Sequence, residues 1–492
     1  MMMGASFAQD WRLAFGALFA VACLAILFVA FPANNLLIAA GIVAVSAFVI
    51  VAGWYPELFL VGCAFMPQWK NAWPLDRFAS VGDLTLVMLL GLLLGIAWRT
   101  LRHVGRIERD TLPELFRGQW LVICGYVLFA AAVLASYAYT TAPNYGGVKL
   151  LRFLLIGTLF LYSGMVLARD EESFRRIASL FVLAACVTAC QMIFHLEHRA
   201  VGEETDITRI GAGWLLGMGI LLLLGYPIVN NARRYLCCVV VALPLLSAGL
   251  IASASRGPMV SLAIALVLTM FWFAKKQFAA IRVWVAVLLV GSSVASFSYL
   301  RHMDPDKYNA KLSEMIELSS GHSASGSGAK RLDFYSRTLA AIPENLWLGR
   351  GIGSWSVFYY GRDMRDYPHN LLLETTFEEG VVGASLLLLF LALLAMAIRR
   401  MLIATDFQYG VLAGLLVYCF SVSMFSGDLD DNRLLWLWAG IILAVCRNAY
   451  LEAQRRKLLE RFQRCSQLNI EIPVPATSTA RSVFSHPQAI KG

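Results

Sequence analysis

The sequence predicts an all-α polytopic membrane protein of about 12–14 transmembrane helices with one large polar loop. Three observations carry this expectation. First, 59% of the 492 residues are hydrophobic and only 15% are charged, with a mean hydropathy of +0.66. A soluble globular domain carries nearer a quarter charged residues. Second, apolar runs of roughly 20 residues recur, each long enough to cross ~30 Å of hydrocarbon, where a β-barrel would show shorter alternating segments. Third, Lys and Arg gather in alternate short loops, the pattern that sets membrane orientation.

In chain order the spans fall at 12–31, 35–53, 56–68, 82–98, 119–138, 148–168, 177–196, 210–229, 235–253, 257–274, 283–300, 381–398, 409–427 and 434–449. The first is too long for a signal-peptide core and lacks a convincing cleavage site, so it reads as a retained span. The segment 56–68 is short and holds Pro56 and Pro67 near its ends, which suits a re-entrant element. Between spans, the loop 99–117 carries Arg99, Arg102, Arg106, Arg109 and Arg117. Later basic loops hold Arg169, Arg175 and Arg176; Arg233 and Arg234; Lys275, Lys276 and Arg282; and Arg399 and Arg400. They alternate with basic-poor loops such as 139–147 and 427–433. The positive-inside rule therefore puts both termini in the cytoplasm and 301–368, with Arg256 and His369, outside.

Five regions follow: 1–118 and 119–300 as N-terminal and central helices, 301–380 as the outer loop and the segment bearing His369, 381–449 as the last spans, and 450–492 as a basic cytoplasmic tail. The tail starts helix-prone and ends in Pro, Thr and Ser, a disordered composition. Within the outer loop, 319–328 is a Ser/Gly linker, and Arg331 to Leu339 is spaced like an amphipathic helix. Pro343 and Gly349, Gly351 and Gly353 mark turns. The net charge of +9 sits in short loops and the tail, which argues against a nucleic-acid partner. Of ten cysteines, all but Cys465 lie in apolar spans with no disulfide or zinc spacing, and read as small core residues.

A cation at the outer membrane boundary needs a reason, and a phosphate-bearing lipid supplies one. Arg256 stands at a break between spans, where Gly257 and Pro258 open the next helix and its free N–H groups favour an anion. The planar guanidinium fork suits a diphosphate, although an interfacial arginine also snorkels. His369 follows Pro368 and is expected in the first turn of a helix, where the dipole favours the neutral imidazole that a general base requires. Glu374 and Glu378, one turn apart beside Glu379, suit either orienting His369 or a structural role. Lys149 and Arg152 share a face of a span's outer half and fit a second phosphate or an anionic sugar. Arg209 and Arg331 are candidates for the same task. Weaker signals are the Gly349–Gly353 run, which follows no strand–helix unit; Asp428, Asp430 and Asp431, a solvated acidic turn or a cation site; and the His195, Glu197, His198 cluster.

These residues together resemble the O-antigen ligase and polymerase superfamily of bacterial membrane glycan transferases. The resemblance rests on Ser253-x-Ser255-Arg256-Gly257, on Arg331-x-x-x-Tyr335 with Pro343 and Gly349-x-Gly351, and on His369-Asn370-x-x-Leu373-Glu374 followed by Glu379-Gly380-x-x-Gly383. It covers roughly residues 205–440. It departs from the family after Arg209-Ile210-Gly211-Ala212-Gly213, where Trp214 follows and the usual Asn-Pro-Asn is missing, leaving the role of Arg209 open. The resemblance implies a lipid-linked-sugar glycosyltransferase (GT-C-like) architecture in the bacterial inner membrane. It implies an undecaprenyl-diphosphate-linked glycan as donor and a lipid A–core hydroxyl or a growing glycan as acceptor, at the periplasmic face and with no cofactor or metal. By motif match Arg256 and Arg331 would hold the diphosphate and His369 would be the base. Apart from that match, Arg209, Lys149, Arg152, Asn370 and Glu374 are expected to contact substrate. Ligase, with lipid A–core as acceptor, is the favoured reading and polymerase the alternative. A transporter for the same lipid-linked sugars would instead show inverted repeats and charges near the midplane.

Overall fold

A computed structural model of the chain describes residues 46–69, 84–104, 119–168, 170–194, 204–226, 231–253, 255–272, 327–404 and 409–467, besides isolated positions. The expected spans 12–31 and 283–300, the His195–His198 cluster, Lys275, Lys276, Arg282 and the tail beyond Gln467 lie outside the described residues. Secondary structure among the described residues is entirely helical.

The helices run α1 Ser46–Trp54, α2 Pro56–Trp69, α3 Leu84–Val104, α4 Trp120–Ser136 with a 3-10 extension Tyr137–Tyr139, and α5 Pro143–Arg152. A π turn, Phe153–Gly157, joins α5 to α6 Thr158–Leu167. Then come α7 Glu171–Ile193, α8 Glu204–Gly225, α9 Ala232–Ala252, α10 Arg256–Trp272, α11 Ser327–Ala341, α12 Trp355–Tyr360, α13 Leu371–Glu378, α14 Gly380–Ala404, α15 Val411–Ser423 and α16 Arg433–Gln467. Six of the described helical units are long and apolar enough to cross a bilayer, seven if α1 and α2 count as one broken span. The expected spans 82–98, 210–229, 257–274 and 409–427 form shorter apolar helices, Thr85–Thr100, Arg209–Gly225, Arg256–Thr269 and Val411–Ser423. The chain is an all-α, multi-pass membrane protein.

Local chemistry sets the boundaries. Pro56 lacks the N–H that would continue α1, and the axis turns by 100° there. Asp170 caps α7 by accepting from the Ser173 N–H at 2.7 Å, with Glu171 and Glu172 in the positive first turn. Pro143 starts α5 five residues earlier than the span expected at 148, so Lys149 lies about two turns into the helix rather than at its start. The expected linker ends sooner than its composition suggests, because Ser327 and Gly328 already belong to α11.

The most buried of the candidate spans is α16, which packs along α6. Between helices in lipid the gain comes from close packing rather than from excluding water, so small residues line the contact. A Cβ on Gly440 would lie 1.9 Å from the Leu161 carbonyl oxygen, and one on Gly164 would lie 2.5 Å from that of Leu437. Beside this seam Tyr126, Phe129, Phe153 and Phe390 surround the buried Trp436 ring at 5.4–6.1 Å between centroids.

Connectivity sorts the loops to two ends. Arg99 and Arg176 both pair with the buried Glu57, at 2.7 and 3.2 Å, on the side where the basic loops collect. At the other end meet the 139–147 turn, the start of α10, the polar segment 327–370 and the 424–432 turn. Thr140 Oγ donates to the Ile352 carbonyl at 2.6 Å, and Asp363 accepts from the Asn144 and Tyr145 N–H groups at 2.8 and 2.9 Å.

Candidate functional site

At this second end, α11 carries its cation and its tyrosine one turn apart. Arg331 donates to the Phe425 carbonyl at 2.9 Å, and the Tyr335 hydroxyl reaches the carbonyls of His369 and Met424 at 3.3 and 3.4 Å. Gly257, next to Arg256 at the start of α10, lies so close to Phe425 that a Cβ would stand 2.8 Å from the phenylalanine Cβ. The 424–425 turn thus joins the Arg256 helix start, Arg331 and the His369 backbone. Arg209 joins the same neighbourhood on α8: one turn on, Gly213 packs against Ser255 and Pro258.

His369 sits elsewhere than its spacing predicts. Helix α13 begins at Leu371, with Asn370 as its N-cap accepting from the Leu373 N–H at 2.9 Å. The histidine is therefore outside the helix, just before the cap, with φ of +59°, and is the non-glycine residue with positive φ among the described residues. A left-handed histidine is uncommon and worth a functional explanation. Its ring is stacked 6.2 Å from Phe334 at 17° and meets Tyr367 edge-on at 4.6 Å. Its Nδ1 is buried and has no hydrogen-bond partner. Burial first, then the charges of Arg331 and Lys330, hold the imidazole down at about 4 from its usual 6.5, against the opposing pull of Asp366 and Asp428. The neutral form expected of a base is present, but burial and neighbouring cations produce it rather than a helix dipole.

Asn370, expected to contact substrate, spends its side-chain oxygen on the cap. Lys149 and Glu374, also expected at the substrate, lie beneath the surface. Lys149 is completely buried and pairs with Glu374 and, at 2.6 Å, with Glu378, both also buried. The ammonium assigned to a second phosphate is already held by two buried carboxyl groups of the protein. Burial raises the carboxyls of Glu374, Glu378 and Glu379, and Lys149 opposes that rise. Glu379, raised well above the ordinary range, meets the Ser136 hydroxyl at 3.5 Å.

Of the acidic turn only Asp431 is partly solvated. Asp428 and Asp430 are buried, and the oxygens of Asp428, Asp430 and Asp431 lie within 4.8 Å of one another, close enough for a cation site by spacing. Protein groups already serve them: the Tyr145 hydroxyl donates to Asp428, Arg365 holds both oxygens of Asp431 at 2.7 and 2.8 Å, and Arg152 approaches Asp430 at 3.5 Å. Burial and the neighbouring Asp428 charge push Asp430 up to about 10, so it keeps a proton, while hydrogen bonds from Asp430 and Tyr145 overcome burial and hold Asp428 down at about 2. Arg152 is thus the rim cation of this cluster, with nearly half its side chain exposed.

Sequence reasoning missed Tyr145, Lys330, Phe334, Arg365 and Tyr367. The four-residue interval from Tyr145 to Lys149 on one helix face was the available signal for the first; nothing local announces Arg365. Brought together are the Arg331 guanidinium, a neutral imidazole with an unpartnered ring nitrogen and, through the 424–425 turn, the start of the helix that carries Arg256, with a buried ionic network on the adjoining α13. Such a set can hold an anion and take a proton from a hydroxyl.

A search of curated proteins finds no match to this chain. Residues 239–388 match the family model described as O-antigen ligase. That stretch takes in Arg256, Arg331, Tyr335, His369 and Glu374, but not Lys149, Arg209 or the Asp428 turn. Over that stretch the chain is similar to the O-antigen ligase family, in keeping with the resemblance carried by its motifs.

Proposed function

We propose that this protein transfers a glycan from an undecaprenyl-diphosphate carrier to an acceptor hydroxyl at the periplasmic face of the inner membrane, as an O-antigen ligase with lipid A–core as acceptor. The single observation that carries the reading is His369: a neutral imidazole with an unpartnered Nδ1, within the electrostatic reach of Arg331 and joined through the 424–425 turn to the start of the Arg256 helix.

In this mechanism His369 accepts the acceptor hydroxyl's proton as the oxygen attacks the anomeric carbon. The bond from that carbon to the diphosphate oxygen breaks, and the configuration inverts. The departing lipid diphosphate carries the electron pair away, and Arg331 and Arg256 neutralise the growing charge. Diphosphate is already a good leaving group, so positioning and charge stabilisation supply the catalysis. The imidazolium then returns its proton to solvent or to the released diphosphate. An anion beside Arg331 offsets the cation that holds the imidazole down, so His369 becomes a stronger base when donor is bound.

Arg331→Ala should lower transfer by about 10²–10³, as expected for losing one donor to a developing charge. Arg331→Lys should recover only part, because an ammonium lacks the two-pronged geometry. The assay is transfer by purified protein given lipid-linked glycan and lipid A–core; an unaltered rate for Arg331→Ala would remove its assigned role. In a deletion strain, full-length polymer stranded on its carrier supports ligase activity. Accumulation of single repeat units would make the protein a polymerase.

A further inference from the structure

The polar segment does not stand clear of the helices beneath it. Between its 3-10 turn, Ile342–Asn345, and Gly349 it presents Leu346, Trp347 and Leu348, which are 40%, 69% and 59% exposed. Three consecutive large apolar side chains left uncovered by the protein form a patch of the kind that marks an interaction site.

This tripeptide is tied to the ends of two candidate spans. The Val381 and Val382 N–H groups, in the first turn of α14, donate to the carbonyls of Leu346 and Trp347 at 2.8 and 3.3 Å. Gly380, at φ +71°, lets the strands of backbone meet: a Cβ there would stand 2.2 Å from the Trp347 carbonyl oxygen. From the other side Tyr139, the last residue of the span Trp120–Tyr139, donates its hydroxyl to the Leu348 carbonyl at 2.6 Å. Tyr137, Tyr139 and Val382 are exposed beside it, continuing the exposed apolar faces of α4 and α14 that include Leu134, Leu388 and Leu389. The depth of Trp347 is thereby fixed at the level where two spans end.

We propose that Leu346, Trp347 and Leu348, with Tyr137 and Tyr139, form a wedge whose occupant is membrane lipid, inserted at the boundary between headgroups and acyl chains. Tryptophan and tyrosine favour that boundary because an apolar ring and a polar edge are satisfied together there. The wedge continues into Gly349 and Arg350, whose N–H donates to the Phe377 carbonyl at 3.0 Å; Phe377 belongs to the small aromatic core with Phe334 and Trp355 on which His369 stacks. Anchoring the wedge holds this whole body against the bilayer. The inference rests on the spans alone and not on glycan transfer, so either can fail without the other.

The test places p-benzoylphenylalanine at position 347, and separately at the exposed polar position 362, in full-length protein reconstituted into phosphatidylethanolamine–phosphatidylglycerol vesicles. Both variants are first required to elute and melt like the parent protein. After irradiation, mass spectrometry should find several-fold more phospholipid adduct from position 347 than from 362. Equal lipid adduct at the two positions would overturn the proposal. Cross-links from 347 to a second copy of the chain, without lipid adduct, would overturn it in favour of a protein interface.

Discussion

Replacing His369 with asparagine should slow glycan transfer by about 10²–10⁴, the usual contribution of a positioned general base. Asparagine is the sharper substitution because it tolerates the left-handed backbone that His369 adopts, whereas alanine adds backbone strain to the loss of the ring. The melting temperature should barely move, separating chemistry from folding. The acid limb gives a second readout. In the free protein the imidazole sits at about 4, held down by burial, Arg331 and Lys330 against Asp366 and Asp428. The histidine is the active base only when unprotonated, so kcat/KM should stay flat from neutral pH downward and fall as pH approaches that value. The limb in kcat should lie at higher pH, because bound diphosphate offsets the Arg331 and Lys330 charges and favours the imidazolium. A His369→Asn variant with the parent's rate and the parent's acid limb would eliminate this base.

Lys149→Met should destabilise the protein by about 3–5 kcal/mol, the typical cost of removing one partner from a buried ion pair. The pair is buried on both sides, with Lys149 0% exposed and its partners Glu374 and Glu378 at 1%. Methionine nearly preserves the volume, so the loss reports charge rather than packing. Two carboxyls would then lie buried without their cation. Neutralising them as well, with Glu374→Gln and Glu378→Gln, should restore much of the stability in a thermal melt, since an unpaired charge costs more than a missing pair. If the triple variant melts no higher than Lys149→Met, the network does not act through charge. The single substitution should also reduce turnover indirectly, because Glu374 and Glu378 lie on the helix immediately following His369.

Much of the fold was legible because membrane helices announce themselves by length and apolarity. Helices covering most of the expected spans appear where they were read, and the amphipathic spacing from Arg331 to Leu339 became α11. The candidates Arg256 and His369 draw notice because an arginine and a histidine stand at the boundary of apolar spans, and Arg331 because it opens an amphipathic stretch of the polar loop. Partnership was not legible. Lys149 reads as an outward cation because nothing nearby in sequence tells it to pair with α13. The acidic turn reads as solvated because its counter-groups, Tyr145 and Arg365, come from elements far along the chain. His369 reads as a first-turn residue because a preceding proline usually opens a helix, and the stronger cap at Asn370 moves the start past it.

The burial of Lys149 also constrains the order in which the molecule can be built. One of its counter-charges, Glu378, lies 229 residues downstream. Throughout synthesis of that interval a nascent helix holds an ammonium with no carboxylate to meet it. Inserting such a residue deep in hydrocarbon costs up to about 2.5–3.5 kcal/mol on biological insertion scales. Lys149 lies six residues from the end of its span, where a long side chain can reach toward water, so the segment from Pro143 carries only part of that cost until the C-terminal third supplies the partner.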